Sequence, residues 1–193
     1  MAIMQIKIDL EGVTPILMHN ERLANPLEPI VKEIKRFTGK KTKTDDDWEN
    51  IRHLEWTGSL YLRNGEIAMP NRCVRACLRS AARANRLGRD IERALSFSDE
   101  WGVFDYDGPR DLEQLYASGK YVDASGVVIK NIRNVRFRPV FEKWAVHSVG
   151  FLQSDLMDIQ TLRDIAERAG AVEGLCDNRT NGRGRFIATV NLL

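Results

Sequence analysis

Seven arginines fall at Arg72, Arg75, Arg79, Arg83, Arg86, Arg89 and Arg93, and no acidic residue occurs between Arg72 and Arg89. Steps of three and four place them within about 120° of a helical wheel. The complementary arc carries Cys73, Val74, Cys77, Leu78, Ala81 and Ala84. The spacing therefore predicts a helix that buries one face in a core and shows a row of cations on the other. Pro70 and Asn71 supply entry and capping chemistry, and Gly88 is placed to end or bend the helix. Acidic partners at i,i+4 would normally relieve such a row, and here they are missing. That favours a surface for an acidic partner over an ordinary solvated face.

The whole chain carries 29 basic and 27 acidic residues, a net charge of +2. Twenty of the basic residues are arginine, whose planar guanidinium forks onto phosphates. A second basic group, Lys130, Arg133, Arg136 and Arg138, lies in a β-rich stretch. A third, Arg179, Arg183 and Arg185, shares a loop with Gly182 and Gly184 just before a final apolar run. Glycines let backbone amides approach a phosphate, and arginines add the countercharge. Acids crowd elsewhere, in Asp45-Asp46-Asp47 and from Asp90 to Glu113. The near-zero total is thus a difference between segregated populations, which confines any bound nucleic acid to a groove.

Residues 3–10 alternate as a strand that is expected to reach about Met18 with a disturbance near Gly12 or Pro15. Residues 20–56 break the pattern and are expected to form an inserted, thumb-like or mobile segment within a single domain spanning 1–193. Asn64-Gly65 predicts a tight hairpin with a type I′ turn. Strands are expected over 127–138 and 142–152, a helix over 154–169 stopped by Gly170, and a closing strand over 186–192. The order is βαββαβ with elaborations, an α+β, ferredoxin-like or RRM-like arrangement. No apolar run is long enough for a membrane helix, and the N-terminus lacks the apolar core of a signal peptide. Three cysteines make no disulfide framework, so a reducing, cytoplasmic setting is the expectation.

Catalytic signatures are sparse. Gly39-Lys40-Lys41-Thr42 is no phosphate-binding P-loop, because position 34 is Ile. His19, His53 and His147 show no metal spacing, and Cys73 and Cys77 sit on the apolar arc, where cysteine behaves as a small hydrophobe. Asp45, Asp46 and Asp47 are the one candidate set for holding a divalent cation, and their place before Trp48 and Glu49 favours a helix start. No cofactor is expected.

Three segments together resemble the Cas7-like RAMP superfamily. Ile67-Ala68-Met69-Pro70-Asn71-Arg72-Cys73-Val74-Arg75-Ala76-Cys77-Leu78-Arg79 looks like its Pro-initiated, Arg-bearing helix entry. Gly182-Arg183-Gly184-Arg185-Phe186 resembles its glycine-rich loop before the last strand, and Arg138-Pro139-Val140-Phe141-Glu142-Lys143-Trp144 is similar to small phage-encoded members. The resemblance implies an RRM-like palm with an insertion after the first strand, and a subunit that binds RNA along a helical filament without cutting it. It places the protein in a bacterial or phage-infected cytoplasm. The expectation is therefore a non-enzymatic protein that binds single-stranded RNA or DNA through Arg72, Arg75, Arg79, Arg83, Arg86, Lys130, Arg133, Arg136, Arg138, Arg179, Arg183 and Arg185, and that assembles as a homo-oligomer. Two alternatives are an endoribonuclease using an aspartate of 45–47 and a phage assembly protein whose basic and acidic faces pair.

Overall fold

Ile6, Ile8 and Leu10 are fully buried while Gln5, Lys7 and Asp9 turn the other way, so β1 (Ile3–Gly12) has one core face and one open face. Both edges of β1 are paired. It runs antiparallel to β9 (Trp144–Gln153) on one side and to β10 (Phe186–Leu192) on the other. The computed structural model describes residues 2–129 and 131–193, and is mixed α+β with antiparallel sheets throughout. The described residues gather into two units. One holds residues up to Ile16 with Leu62–Asp107 and Phe141–Leu193; the other holds Leu17–Tyr61 and Gly108–Val140.

The first unit is built on a seven-stranded sheet. β6 (Trp101–Tyr106), β4 (Glu66–Pro70) and β3 (Leu62–Arg63) extend it beyond β9, giving the order β10-β1-β9-β6-β4-β3. β5 (Leu95–Phe97) pairs with the far end of β9. Asn64 and Gly65 both have positive φ, as the predicted hairpin turn between β3 and β4 requires. The helices α3 (Asn71–Ala82) and α6 (Ile159–Arg168) pack on each other, burying Val74, Cys77, Leu78, Leu162, Ile165 and Ala166.

Several boundaries differ from the sequence reading. β1 stops at Gly12, and the chain re-forms a two-residue strand, β2 (Ile16–Leu17). The helix expected over 154–169 starts only at Ile159, capped by the Asp158 carboxylate accepting from Thr161 N–H, so Leu156 lies outside it and is exposed. Gly170 does not stop the chain; it sits in a π turn, Ala169–Glu173, where a Cβ would come within 2.0 Å of the Phe186 carbonyl oxygen. Asn71 does not cap α3 with its side chain. Its amide donates to the Asp99 carbonyl and accepts from the Ser148 hydroxyl at 2.6 Å, a buried knot for which Gly102 leaves the room.

In the second unit, α1 (Pro29–Thr38) packs on α2 (Asp45–Ser59), and β7 (Val122–Ile129) pairs with β8 (Ile132–Phe141) in a sheet completed by β2. The stretch 127–138, expected as one strand, is therefore the turning end of a hairpin: Ile129 stands opposite Ile132, with Asn131 at positive φ. The segment 20–56 is largely helical, and it shares its unit with 108–140. Asp45-Asp46-Asp47 forms the first turn of α2. Thr44 and Asp47 make a reciprocal capping box, and Asp47 also pairs with Lys40 at 2.6 Å. These bonds, the Lys40 one foremost, hold the Asp47 carboxyl below its usual range. Trp56 donates its indole N–H to the Tyr121 carbonyl at 2.8 Å, and the buried carboxylate of Glu55 accepts from the Arg136 guanidinium and from Phe137 N–H. No helix among the described residues is long and apolar enough to cross a membrane.

The Glu55 contacts tie α2 to β8. Glu55→Ala leaves the Phe137 N–H and Arg136 without their acceptor. It is expected to cost about 2–3 kcal/mol, below the usual figure for a broken buried pair because Arg136 is partly solvated. Hydrogen exchange checks this: amides of 45–59 and 122–138 should lose protection while those of β1 and β9 keep it.

Candidate nucleic-acid interface

The row of arginines does not lie on one continuous helix. α3 ends at Ala82, a 3-10 turn follows over Arg83–Asn85, and Arg86 adopts the left-handed conformation (φ 63°, ψ 15°) before α4 (Gly88–Ala94). Leu87 N–H returns to the Ala82 carbonyl at 3.0 Å, and Arg86 N–H to that of Arg83. This is the closure that ends many helices, with arginine where glycine usually sits. Gly88 thus opens α4 and does not close α3. Ala84, expected on the core arc, is exposed, and Ala82 is buried in its place.

The break folds the row onto itself. Two open recesses result, one of about 460 Å³ lined by Arg79, Arg83, Arg86, Gly88, Arg89 and Glu92, and one of about 390 Å³ lined by Arg72, Arg75, Ala76, Arg79 and Glu92. Arg79 and Glu92 belong to both, and they form an ion pair with each other. The sequence reading placed every nearby acid away from the row; α4 carries Glu92 back to it. Among the described residues Arg75, Arg83, Arg86 and Arg89 carry no ion pair. Cations this crowded without matching acids attract a polyanion.

The other predicted basic residues divide. Arg185 donates to the carbonyls of Val172 and Arg179, tying its own loop together. The amides of that loop are engaged as well: Gly182 N–H with Arg179, Arg183 N–H with Asn178, Gly184 N–H with Pro15. Gly184 has positive φ, and a Cβ on it would meet the Leu175 carbonyl oxygen at 2.0 Å. Gly184 therefore serves close packing, Gly182 supplies a left-handed turn with open space about it, and the amides of both are already engaged within the chain. Arg179 is exposed and Arg183 half-buried in the same loop. In the second unit Arg133 is exposed, Arg136 is held by Glu55, and Arg138 is buried and 3.3 Å from Asp123. Arg136 and Arg138 are thus internal ion-pair members. Lys130 lies outside the described residues.

The sheet's open face adds a second polar feature. His147 Nδ1 lies 2.6 Å from Asp9 Oδ1, and its Nε2 lies 3.3 Å from Asp105, while Lys7 pairs with Asp9 at 3.0 Å. Burial opposes the charge on Asp9, but the hydrogen bonds to His147 and Lys7 outweigh it and hold its carboxyl below the usual range. Cys77 lies in the core, donating its thiol to the Gly174 carbonyl at 3.1 Å, and burial pushes its pKa up to about 12. That fits the packing role read from its arc. Among the described residues no group of His, Cys, Asp and Glu is arranged to hold a metal ion.

No protein-family profile matches the chain, and no curated protein matches it. Among solved structures, a chain of the cryo-EM structure of the type III-B Cmr-beta bound to cognate target RNA is similar at TM-score 0.46 and 10% identity. The match covers 99% of this chain and 61% of that one, so the present chain spans about three fifths of its length.

Arg86 stands at a position where a side chain is strained and glycine is not. Arg86→Gly is expected to raise stability by about 1 kcal/mol, seen as a higher denaturant midpoint at unchanged slope. The same variant should weaken retention on heparin, because one cation leaves the larger recess.

Proposed function

We propose that the chain is a single-stranded nucleic-acid-binding protein, Cas7-like in character, that holds RNA or single-stranded DNA by its phosphates and is not itself a nuclease. The observation that carries this reading is the pair of adjoining arginine recesses formed where α3 folds over into α4. Arg72, Arg75, Arg79, Arg83, Arg86 and Arg89 are its phosphate ligands, with Arg179 and Arg183 as auxiliary contacts. The four strands β10-β1-β9-β6 with α3 and α6 are read as the ferredoxin-like core of a RAMP palm, because their order and antiparallel pairing suit it. Assembly as repeated subunits follows the same reading: a short site engages few phosphates, and long strands are covered by repetition.

The endoribonuclease alternative draws on Asp45, Asp46 and Asp47. The Asp47 carboxylate is already occupied by Lys40 and the Thr44 N–H, which leaves the triplet a sufficient role as a helix start.

Binding should fall steeply with salt, with a log–log slope of about −0.7 for each phosphate engaged. Changing Arg75, Arg79 and Arg83 together to Ala should cut affinity for a labelled oligouridylate or oligothymidylate at least tenfold and flatten that slope by about 2. Fluorescence anisotropy across a salt series measures both. Salt-independent binding, or full affinity in the triple variant, would sink the reading.

A further inference from the structure

At the far end of the basic surface lies a recess of different chemistry. Ile3, Arg93, Ala94, Ser96, Phe151 and Gln153 line a cavity of about 440 Å³, within the roughly 300–1,000 Å³ range of small-ligand sites. Phe151 is 37% exposed and Ile3 61%, both on the open face of the sheet, where β1, β9 and β5 adjoin: Gln5 and Ser96 stand opposite Phe151, and Ile3 opposite Gln153.

The connection to the phosphate recesses is built into α4. Arg89 lines the larger arginine recess and Arg93 lines this cavity, four residues on along the same exposed side of the helix. One helical turn is about 5.4 Å, the scale of a single nucleotide. Immediately after α4 the chain enters β5, which lays Ser96 against Phe151. A strand whose phosphates sit on Arg79, Arg83, Arg86 and Arg89 thus meets, one turn of α4 further on, a recess lined by both Arg93 and the exposed Phe151. Arg93 carries no ion pair among the described residues.

We infer that this cavity is a nucleobase-stacking subsite, in which Phe151 offers its ring face to one base of the bound single strand and Arg93 lies beside that base. The inference rests on the phosphate-binding reading and extends it from backbone to base. Stacking on an aromatic face is tolerant of sequence, because every base has a π-face, so the subsite favours unpaired strands over particular sequences. A second copy of the chain is the less suitable occupant. Val103 and Ile187, also exposed on this face, are set apart from Phe151 by the charged series Lys7, Asp9, His147 and Asp105, which leaves only Ile3 and the chain end at Leu193 near Phe151, too little apolar surface for a stable dimer.

The test compares two fluorescein-labelled oligothymidylates, one intact and one with consecutive abasic residues, bound to the whole protein at fixed salt. The wild type is expected to bind the intact strand about five- to a hundredfold more tightly. Phe151→Ala should remove that preference, Phe151→Trp should keep it, and Phe151→Leu, which keeps apolar bulk without a π-face, should behave like Phe151→Ala. The salt slope should be the same in all three variants. Equal affinity of the wild type for both strands, with the salt dependence intact, overturns the subsite and leaves the phosphate reading standing. Absence of salt-dependent binding to either strand overturns both. A change of sedimentation coefficient in Phe151→Ala without any change in strand preference overturns the inference in favour of self-association.

Discussion

The start of the arginine row hangs on one buried helix face. Val74, Cys77, Leu78, Ala81 and Ala82 are almost wholly removed from water, and each apolar side chain of valine or leucine size so buried is worth roughly 1.5–3 kcal/mol. With those positions facing inward, the 3.6-residue period sends Arg72, Arg75 and Arg79 outward. Charge repulsion along the row amounts to tenths of a kcal/mol per pair, so packing wins and the arginines stay together. The basic surface is the unavoidable reverse of a hydrophobic one.

The turn after α3 converts that surface from a line into a site. A straight helix would spread its cations along a rod; the left-handed step at Arg86 folds α4 back so that Arg79 and Arg89 share a recess. The same step brings in Glu92, the single acid there, whose bond to Arg79 keeps one guanidinium oriented in the absence of a ligand. A phosphate entering either recess competes with that carboxylate. On the proposed reading, binding at this surface would be an exchange of counter-ions as well as a release of salt.

Much of this was legible from local pattern, and what was not has physical causes. The alternation of β1, the Asn64-Gly65 turn, the N-terminal and buried face of α3, and the closing strand β10 were readable because short-range periodicity and turn chemistry decide them. The end of α3 was missed because an arginine occupies the left-handed position that glycine advertises. Arg136 and Arg138 looked available because their partners, Glu55 and Asp123, lie 81 and 15 residues away and are brought to them by folding. Phe151 shows a partial signal: it lies on the same alternating side of β9 as Ala145, His147 and Val149, opposite buried Val146, Ser148 and Leu152. Only the pairing of β5 with β9 brings it beside Arg93.

The chain passes from one unit to the other at four points, after Ile16, Tyr61, Asp107 and Val140. Neither unit is a continuous stretch of polypeptide, so neither can be excised as a cassette by trimming an end. The second unit is spelled by two segments interrupting three of the first. A deletion confined to one of those segments would strand the other as an orphaned loop. Removing the second unit would thus take two excisions, one within 17–61 and one within 108–140.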